Sequence, residues 1–233
     1  MIRVERENVP FYRFPELSRF PELNHFVSGR EGGVSTGGRF SLNLGFMDED
    51  STGNVLVNRE LLANAVGCNL DAFTFGEQKH TTHIEVVDTT KRGKGGKEKE
   101  SRLPATDGLI TREPGICLMV LAADCVPVLL YDPVERVIAA VHAGWRGTVG
   151  RIAARAVQRM GEEFHCQPEN VVVVHLSDLV VSRWARKSSR QPERDWGIYE
   201  GSSRTPGILA SITLICGRRT GSNWNKRVYY LPG

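Results

Sequence analysis

The chain has 233 residues, 40% of them hydrophobic, and a formal net charge of +3. That length suffices to bury a sizeable core in one large domain or two small ones, and no stretch approaches the roughly 18 apolar residues of a membrane span. Cys68, Cys117, Cys125, Cys166 and Cys216 follow no framework spacing, and the start, MIRVERENVPFYRFPELSRF, is charged and broken by proline. Together they argue against a disulfide scaffold and lead one to expect no signal peptide and a cytoplasmic chain with reduced thiols.

Residues 26–46, FVSGREGGVSTGGRFSLNLGF, read as a strand, a glycine-permitted loop and a second strand, with polar Asn43 inside an apolar alternation. The stretch VLVNRELLANAVG (55–67) predicts a helix with Gly67 as its stop. In AFTFGEQKHTTHIEVVDTT two strands flank the polar segment Gln78 to His83. Residues 91–102, KRGKGGKEKESR, predict a charged surface loop rather than a nucleic-acid patch.

The apolar run GICLMVLAADCVPVLLYD is interrupted only by Asp124 and Cys125, and PVERVIAAVHAGW supplies a turn and the next strand. Val149, Ile152, Ala153, Ala156, Val157 and Met160 then recur at the spacing of an amphipathic helix, and ENVVVV closes with another buried strand. Apolar strands alternating with a helix predict an α/β layered core, not an all-β sandwich.

Three side chains at the mouths of these strands carry metal chemistry: His80, Cys125 and His142. Two imidazoles and a thiolate suit zinc or copper, and three protein ligands leave a fourth position open. Their separations match no short metal motif, so the fold must bring them together. Locally, His83 competes with His80. A small buried cysteine and a satisfied core histidine are the plain structural alternatives. The same residues also suit a thiol nucleophile, with Asp124 or Asp107 orienting the histidine. Trp145 is placed either to stack on a planar base or simply to pack, and Arg146 either to pair with phosphate or to face water.

The segments ATDGLIT, AADCVPVLLYDP and VHAGWRGT, with REGGVSTGGRFSLNLG, VLVNRELLANAVG and GEQKH before them, resemble the multicopper polyphenol oxidase, or laccase-domain, family, whose members are also described as purine nucleoside phosphorylases. The resemblance runs from about Phe26 to Val174. It implies a layered α/β/β/α fold with mixed sheets and assigns the metal to His80, Cys125 and His142, choosing His80 over His83. The implied catalyst is a zinc enzyme acting on adenosine, inosine and methylthioadenosine, releasing the base and ribose 1-phosphate, with adenosine deamination alongside. Substrate-binding roles are expected for Arg30, Asn43, Asp107 and Arg146, the two arginines offering charge to phosphate. The implied partners are a nucleoside and phosphate, not nucleic acid or a membrane, with room for a homodimer. Two positions depart from the family pattern: Lys79 stands where valine is usual, and Thr81 where glycine is. Lys79 is expected to point to solvent. A copper-dependent polyphenol oxidase ranks second, because one three-ligand site is offered where several coppers are needed. A metal-binding interaction module without turnover ranks third.

The basic excess has a local origin. Residues 1–174 carry 20 basic and 23 acidic side chains, whereas residues 175–233 carry 10 and 4, with three of the four tryptophans. A basic tail would ordinarily suggest nucleic-acid binding. A frameshift near Val174 explains it better. With codons started at the third base, Asn223–Lys226 can only read Leu-Glu-Gln, unless the last is a stop. In the same frame Leu214–Thr220 permits Asp-Leu-Trp-Glu-Ala-Asn, and His175–Lys187 permits Pro-Ser-Ile-Gly-Pro-Cys-Cys-Phe-Glu-Val-Gly-Glu-Glu. Both are segments that the family resemblance leads one to expect. The expected organisation is therefore an incomplete laccase-like domain over 1–174 and an out-of-frame tail over 175–233. Such a tail lacks a pattern to cover the strands before it, which predicts exposed apolar faces and poor solubility.

Overall fold

The computed structural model describes residues 1–47, 49–176 and 210–216. The described strands are β1 (Ile2–Arg6), β2 (Val9–Arg13), β3 (Leu23–Ser28), β4 (Phe73–Phe75), β5 (Ile84–Val86), β6 (Gly108–Thr111), β7 (Ile116–Ala122), β8 (Val126–Asp132), β9 (Val137–Ala143), β10 (Val172–His175) and β11 (Ala210–Cys216). The helices are α1 (Pro15–Ser18), α2 (Thr52–Val66), α3 (Trp145–Val149) and α4 (Ile152–Phe164). One sheet runs β1-β2-β3-β11-β7-β4 and the other β10-β8-β9-β6-β5. The pairs β4–β7 and β5–β6 are parallel and the others antiparallel, so both sheets are mixed.

The long apolar strands are buried on both faces, and their two-residue period sorts their side chains into different cores. Leu118 and Val120 of β7 meet Leu129 and Tyr131 of β8 and Ile138 and Ala140 of β9 between the sheets. The alternate residues Cys117 and Met119 face Leu62, Ala63 and Val66 of α2. Val128 and Leu130, with Ala139 and Val141, face Ile152, Ala156 and Met160 of α4. The result is helix, sheet, sheet, helix: the expected α/β/β/α layering.

The helices end where the chain chemistry dictates. Ser51 caps α2 by accepting the Asn54 N–H at 3.1 Å, and Gly67 stops it in the left-handed region at φ 75°. Val149 stands outside the α4 stripe; it lies on α3 and is 77% exposed. The hairpin β1–β2 and helix α1 carry no clear periodicity and were not expected.

Two expectations fail. The second strand within 26–46 does not form. Residues 29–47 instead fold as a loop around buried polar groups: Asn58 of α2 donates to Asn43 O and Ser35 Oγ, and Asp50 accepts from Ser35 Oγ and Asn43 Nδ2. Side-chain hydrogen bonds of this kind compete with a sheet ladder for the backbone. The second is the expectation of exposed apolar faces after Val174, which does not hold for the described residues. Val174 and Leu176 are buried, leaving Val173 as the exposed apolar residue of β10 at 46%. Ala210–Cys216 forms a strand paired with β3 on one side and β7 on the other. A ladder needs backbone groups more than particular side chains, and ASITLIC has no proline or charge and three β-branched residues. The rest of the 175–233 segment beyond Leu176 lies outside the described residues.

Candidate metal centre

Three strands of the second sheet end together, and the register explains why. Val126 of β8 faces Ala143 of β9, and Pro127 faces His142. Cys125, one residue before β8, is thereby set beside His142. Gly108 of β6 pairs with Val141, so Asp107 enters the same end and its carbonyl accepts the His142 N–H at 2.7 Å. The loop between β4 and β5 then delivers His80.

The donor atoms of His80, Cys125 and His142 all lie within 4.8 Å of one another. Cys125 Sγ is 3.5 Å from His80 Nε2, and the two imidazole rings meet edge to face with centroids 5.0 Å apart. His142 is buried, Cys125 half-buried and His80 exposed. The centre is open to solvent on the His80 side. Four-coordinate zinc, with Zn–N of about 2.0 Å and Zn–S of about 2.3 Å, sets its N and S donors about 3.5 Å apart. The observed Cys125–His80 spacing fits such an ion, as does the donor set of two imidazoles and one thiol.

Asp107 organises the centre from behind. Its Oδ1 lies 2.8 Å from His142 Nδ1 and accepts the His80 N–H at 3.0 Å. Its Oδ2 accepts the N–H groups of Lys79 at 3.0 Å and Thr81 at 2.8 Å, and the Thr81 hydroxyl at 2.9 Å. Burial would raise this carboxyl, but the bonds from His142 and the 79–81 backbone outweigh it and hold it at about 2. On His142, burial works downward, while Asp107 and Cys125 pull the imidazole up to about 9 in the metal-free chain. With Nδ1 facing a carboxylate, Nε2 is the nitrogen left for a metal.

The loop that carries His80 has further supports. His80 itself adopts φ 60°, a backbone region that non-glycine residues rarely occupy, and the three consecutive N–H bonds to Asp107 hold it there. Gln78 clamps the loop to the end of β7: its Nε2 donates to Leu121 O at 2.7 Å, and its Oε1 accepts from Leu121 N at 2.8 Å. Lys79 points to solvent as expected and pairs with Glu77 at 2.9 Å. Thr81, at the other departure, uses its hydroxyl on Asp107 and Ala105 O.

The remaining candidates separate clearly. His83 faces Glu85 at 3.0 Å and belongs to a different surface, so His80 is the histidine of this centre. Asp107 is buried behind the donors, and its oxygens are engaged by the loop and His142. Asn43 is buried with its amide committed to Gly45 and Asp50, so it shapes the 43–47 segment from within. Arg30 is half-buried and donates to Gly38 O at 2.9 Å. Arg146 stacks its guanidinium 5.1 Å over the Trp145 ring, and both are exposed on α3 just after His142. Asp124 is exposed beside Cys125. Gln78 and Gly144 were not singled out as site residues. The former had one signal, its place in the GEQKH segment two positions before His80.

A model of the family described as multi-copper polyphenol oxidoreductase laccase matches residues 24–177. The chain belongs to this family. It is 37% identical over 159 residues to the purine nucleoside phosphorylase of Bacteroides thetaiotaomicron, an alignment covering 68% of this chain and 59% of that protein. It is 41% identical over 111 residues to the adenosine deaminase RL5 of an unknown prokaryotic organism, covering 48% of this chain and 42% of that protein. The crystal structure of YlmD from Geobacillus stearothermophilus superposes with a TM-score of 0.70 at 30% identity, over 75% of this chain and 64% of the other. The chain spans a little over half the length of the curated relatives it matches first. No helix among the described residues is long and apolar enough to cross a membrane.

Proposed function

We propose that His80, Cys125 and His142 form a zinc site and that the chain carries the catalytic centre of a purine nucleoside phosphorylase, with adenosine deamination as a side activity. The convergence of two imidazoles and a thiol on one solvent-open point carries this reading, and the names of the relatives support the substrate class. Zinc bound there would supply Lewis acidity at an open fourth position. In phosphorolysis a phosphate oxygen bonds to C1′ of the ribose as the C1′–N9 bond breaks, and the purine keeps the electron pair and takes up a proton. Asp107 fixes both histidines so that no reorganisation is needed during the reaction. Arg146 and Arg30 would offset phosphate charge, and the exposed Trp145 ring offers a face for the base. In a phosphate-containing assay, adenosine is expected to give adenine and ribose 1-phosphate, with activity lost in Cys125→Ala and on chelation. Zinc bound tightly without any nucleoside turnover, in a chain restored to one reading frame, would sink the phosphorylase reading. The family description favours a copper phenol oxidase as second reading; phenol-dependent oxygen uptake on copper loading would support it.

The segment after Val174 is proposed to be read out of frame. Its support is the shared alternative frame of 175–187, 214–220 and 223–226, together with a family match that stops at residue 177. Sequencing the source DNA across codons 165–233 is expected to reveal one inserted or deleted base near codon 174. An unbroken, independently confirmed frame rejects the idea.

A further inference from the structure

Gly144 separates β9 from α3 and lies buried against the metal centre. Its backbone, at φ −71° and ψ 171°, is extended and open to any residue, so chain conformation does not explain a glycine here. The surroundings do. A Cβ at position 144 would lie 2.4 Å from His80 Cδ2, 3.2 Å from His80 Nε2 and 3.2 Å from Cys125 Sγ. Two of the three donor side chains rest against the space that a methyl group would fill.

What meets the added atom decides the outcome. At Gly33 and Gly76 a Cβ would run into main-chain oxygens, at 2.2 Å from Ser41 O and 2.3 Å from Thr106 O, and the fold itself would have to yield. At Gly144 the closest atom belongs to the imidazole of His80, an exposed side chain rather than main chain. The clash is relieved by moving a ligand, so its effect falls on the donor geometry and leaves the core intact.

We propose that Gly144 is a positioning residue of the metal centre: the missing Cβ is what lets the His80 ring approach Cys125 and complete the three-donor set. This rests on reading those three side chains as a metal site. It assigns to Gly144 a role separate from that of Asp107. Asp107 holds the His80 backbone, whereas Gly144 leaves room for the His80 ring.

The test compares the full chain with Gly144→Ala, His80→Ala and the double variant, with Gly53→Ala as control because a Cβ there meets nothing closer than 3.8 Å. Zinc affinity is measured by titration, the donor set by the absorption spectrum of the cobalt(II)-loaded protein, and the fold by melting without metal. Gly144→Ala is expected to melt within about 4 °C of the parent, to lose zinc affinity on the order of 10–100-fold, and to show a changed cobalt spectrum. In the His80→Ala background the same substitution is expected to add little. Parent-like zinc affinity and cobalt spectrum in Gly144→Ala overturn the proposal alone. So does a loss that persists in full without His80, and so does a collapse of the metal-free melt, which makes Gly144 a fold residue. A parent chain that binds neither zinc nor cobalt overturns the metal reading itself, and the proposal with it.

Discussion

Asp107→Asn is expected to lower zinc affinity on the order of 100-fold, the upper end for groups that orient metal ligands, although Asp107 is not a ligand. Its two oxygens serve different partners: Oδ1 takes His142 Nδ1 and the His80 N–H, and Oδ2 takes the N–H groups of Lys79 and Thr81. An amide turns one oxygen into a donor, and either orientation leaves two donors facing another donor. An orphaned buried donor costs about 1–3 kcal/mol, so the loop that holds His80 at φ 60° or the ring of His142 must give way. Metal-free stability supplies a second readout. The Asp107 contribution is in force above its unfolded value of 3.8 and is lost as pH falls through about 2. The His142 contribution is in force below 6.5 and is lost as pH rises through about 9. Asp107→Asn is therefore expected to flatten the fall in stability between pH 6.5 and 9. Zinc affinity within about twofold of the parent would reject the organising role.

Most of the layered core could be read from residues 116–164, because strands buried on both faces and an amphipathic helix announce themselves by composition and period. The donors His80, Cys125 and His142 were visible as residue types, but their convergence was not. It depends on the pairing of Pro127 with His142 and of Gly108 with Val141, and register between strands far apart in sequence leaves no local trace. Only the family resemblance preferred His80 to His83. The 29–47 loop misled for a related reason. Its apolar alternation is real, yet Asn58 and Asp50, distant enough to escape a local reading, bind its polar groups and keep it out of the sheet. Gly144 was hidden differently: nothing in a sequence distinguishes a glycine needed for its backbone from one needed for the space beside it.

Arg59→Met is expected to destabilise the fold by roughly 4 kcal/mol, because three buried carbonyls lose their donors at about 1–3 kcal/mol each. Arg59 sits on α2 at 1% exposure. Its Nε and Nη2 donate to Leu44 O at 2.8 and 2.6 Å, and Nη1 donates to Gly95 O at 2.6 Å and Gly96 O at 2.7 Å. The guanidinium lies 4.3 Å from the ring centroid of Phe46 and 4.0 Å from that of Phe75. Burial, then the charge of Arg102, lowers its pKa to about 9, which still leaves it a cation at neutral pH. Methionine can fill much of the volume but leaves three buried carbonyls without these donors. Arg59→Lys is expected to recover only part of the loss, because a point charge on a flexible stem cannot replace a planar fork. The position also binds two distant segments, 44–46 and 95–96, to one helix. Trypsin should therefore cut the lysine-rich 91–102 loop faster in Arg59→Met than in the parent. Because Leu44–Phe46 lies beside Leu121, where Gln78 anchors the His80 loop, some zinc affinity should be lost too, but less than in Asp107→Asn. A variant that loses stability while its 91–102 loop is cut at the parent's rate would confine Arg59 to the core of α2 and remove its role as the tie between the two segments.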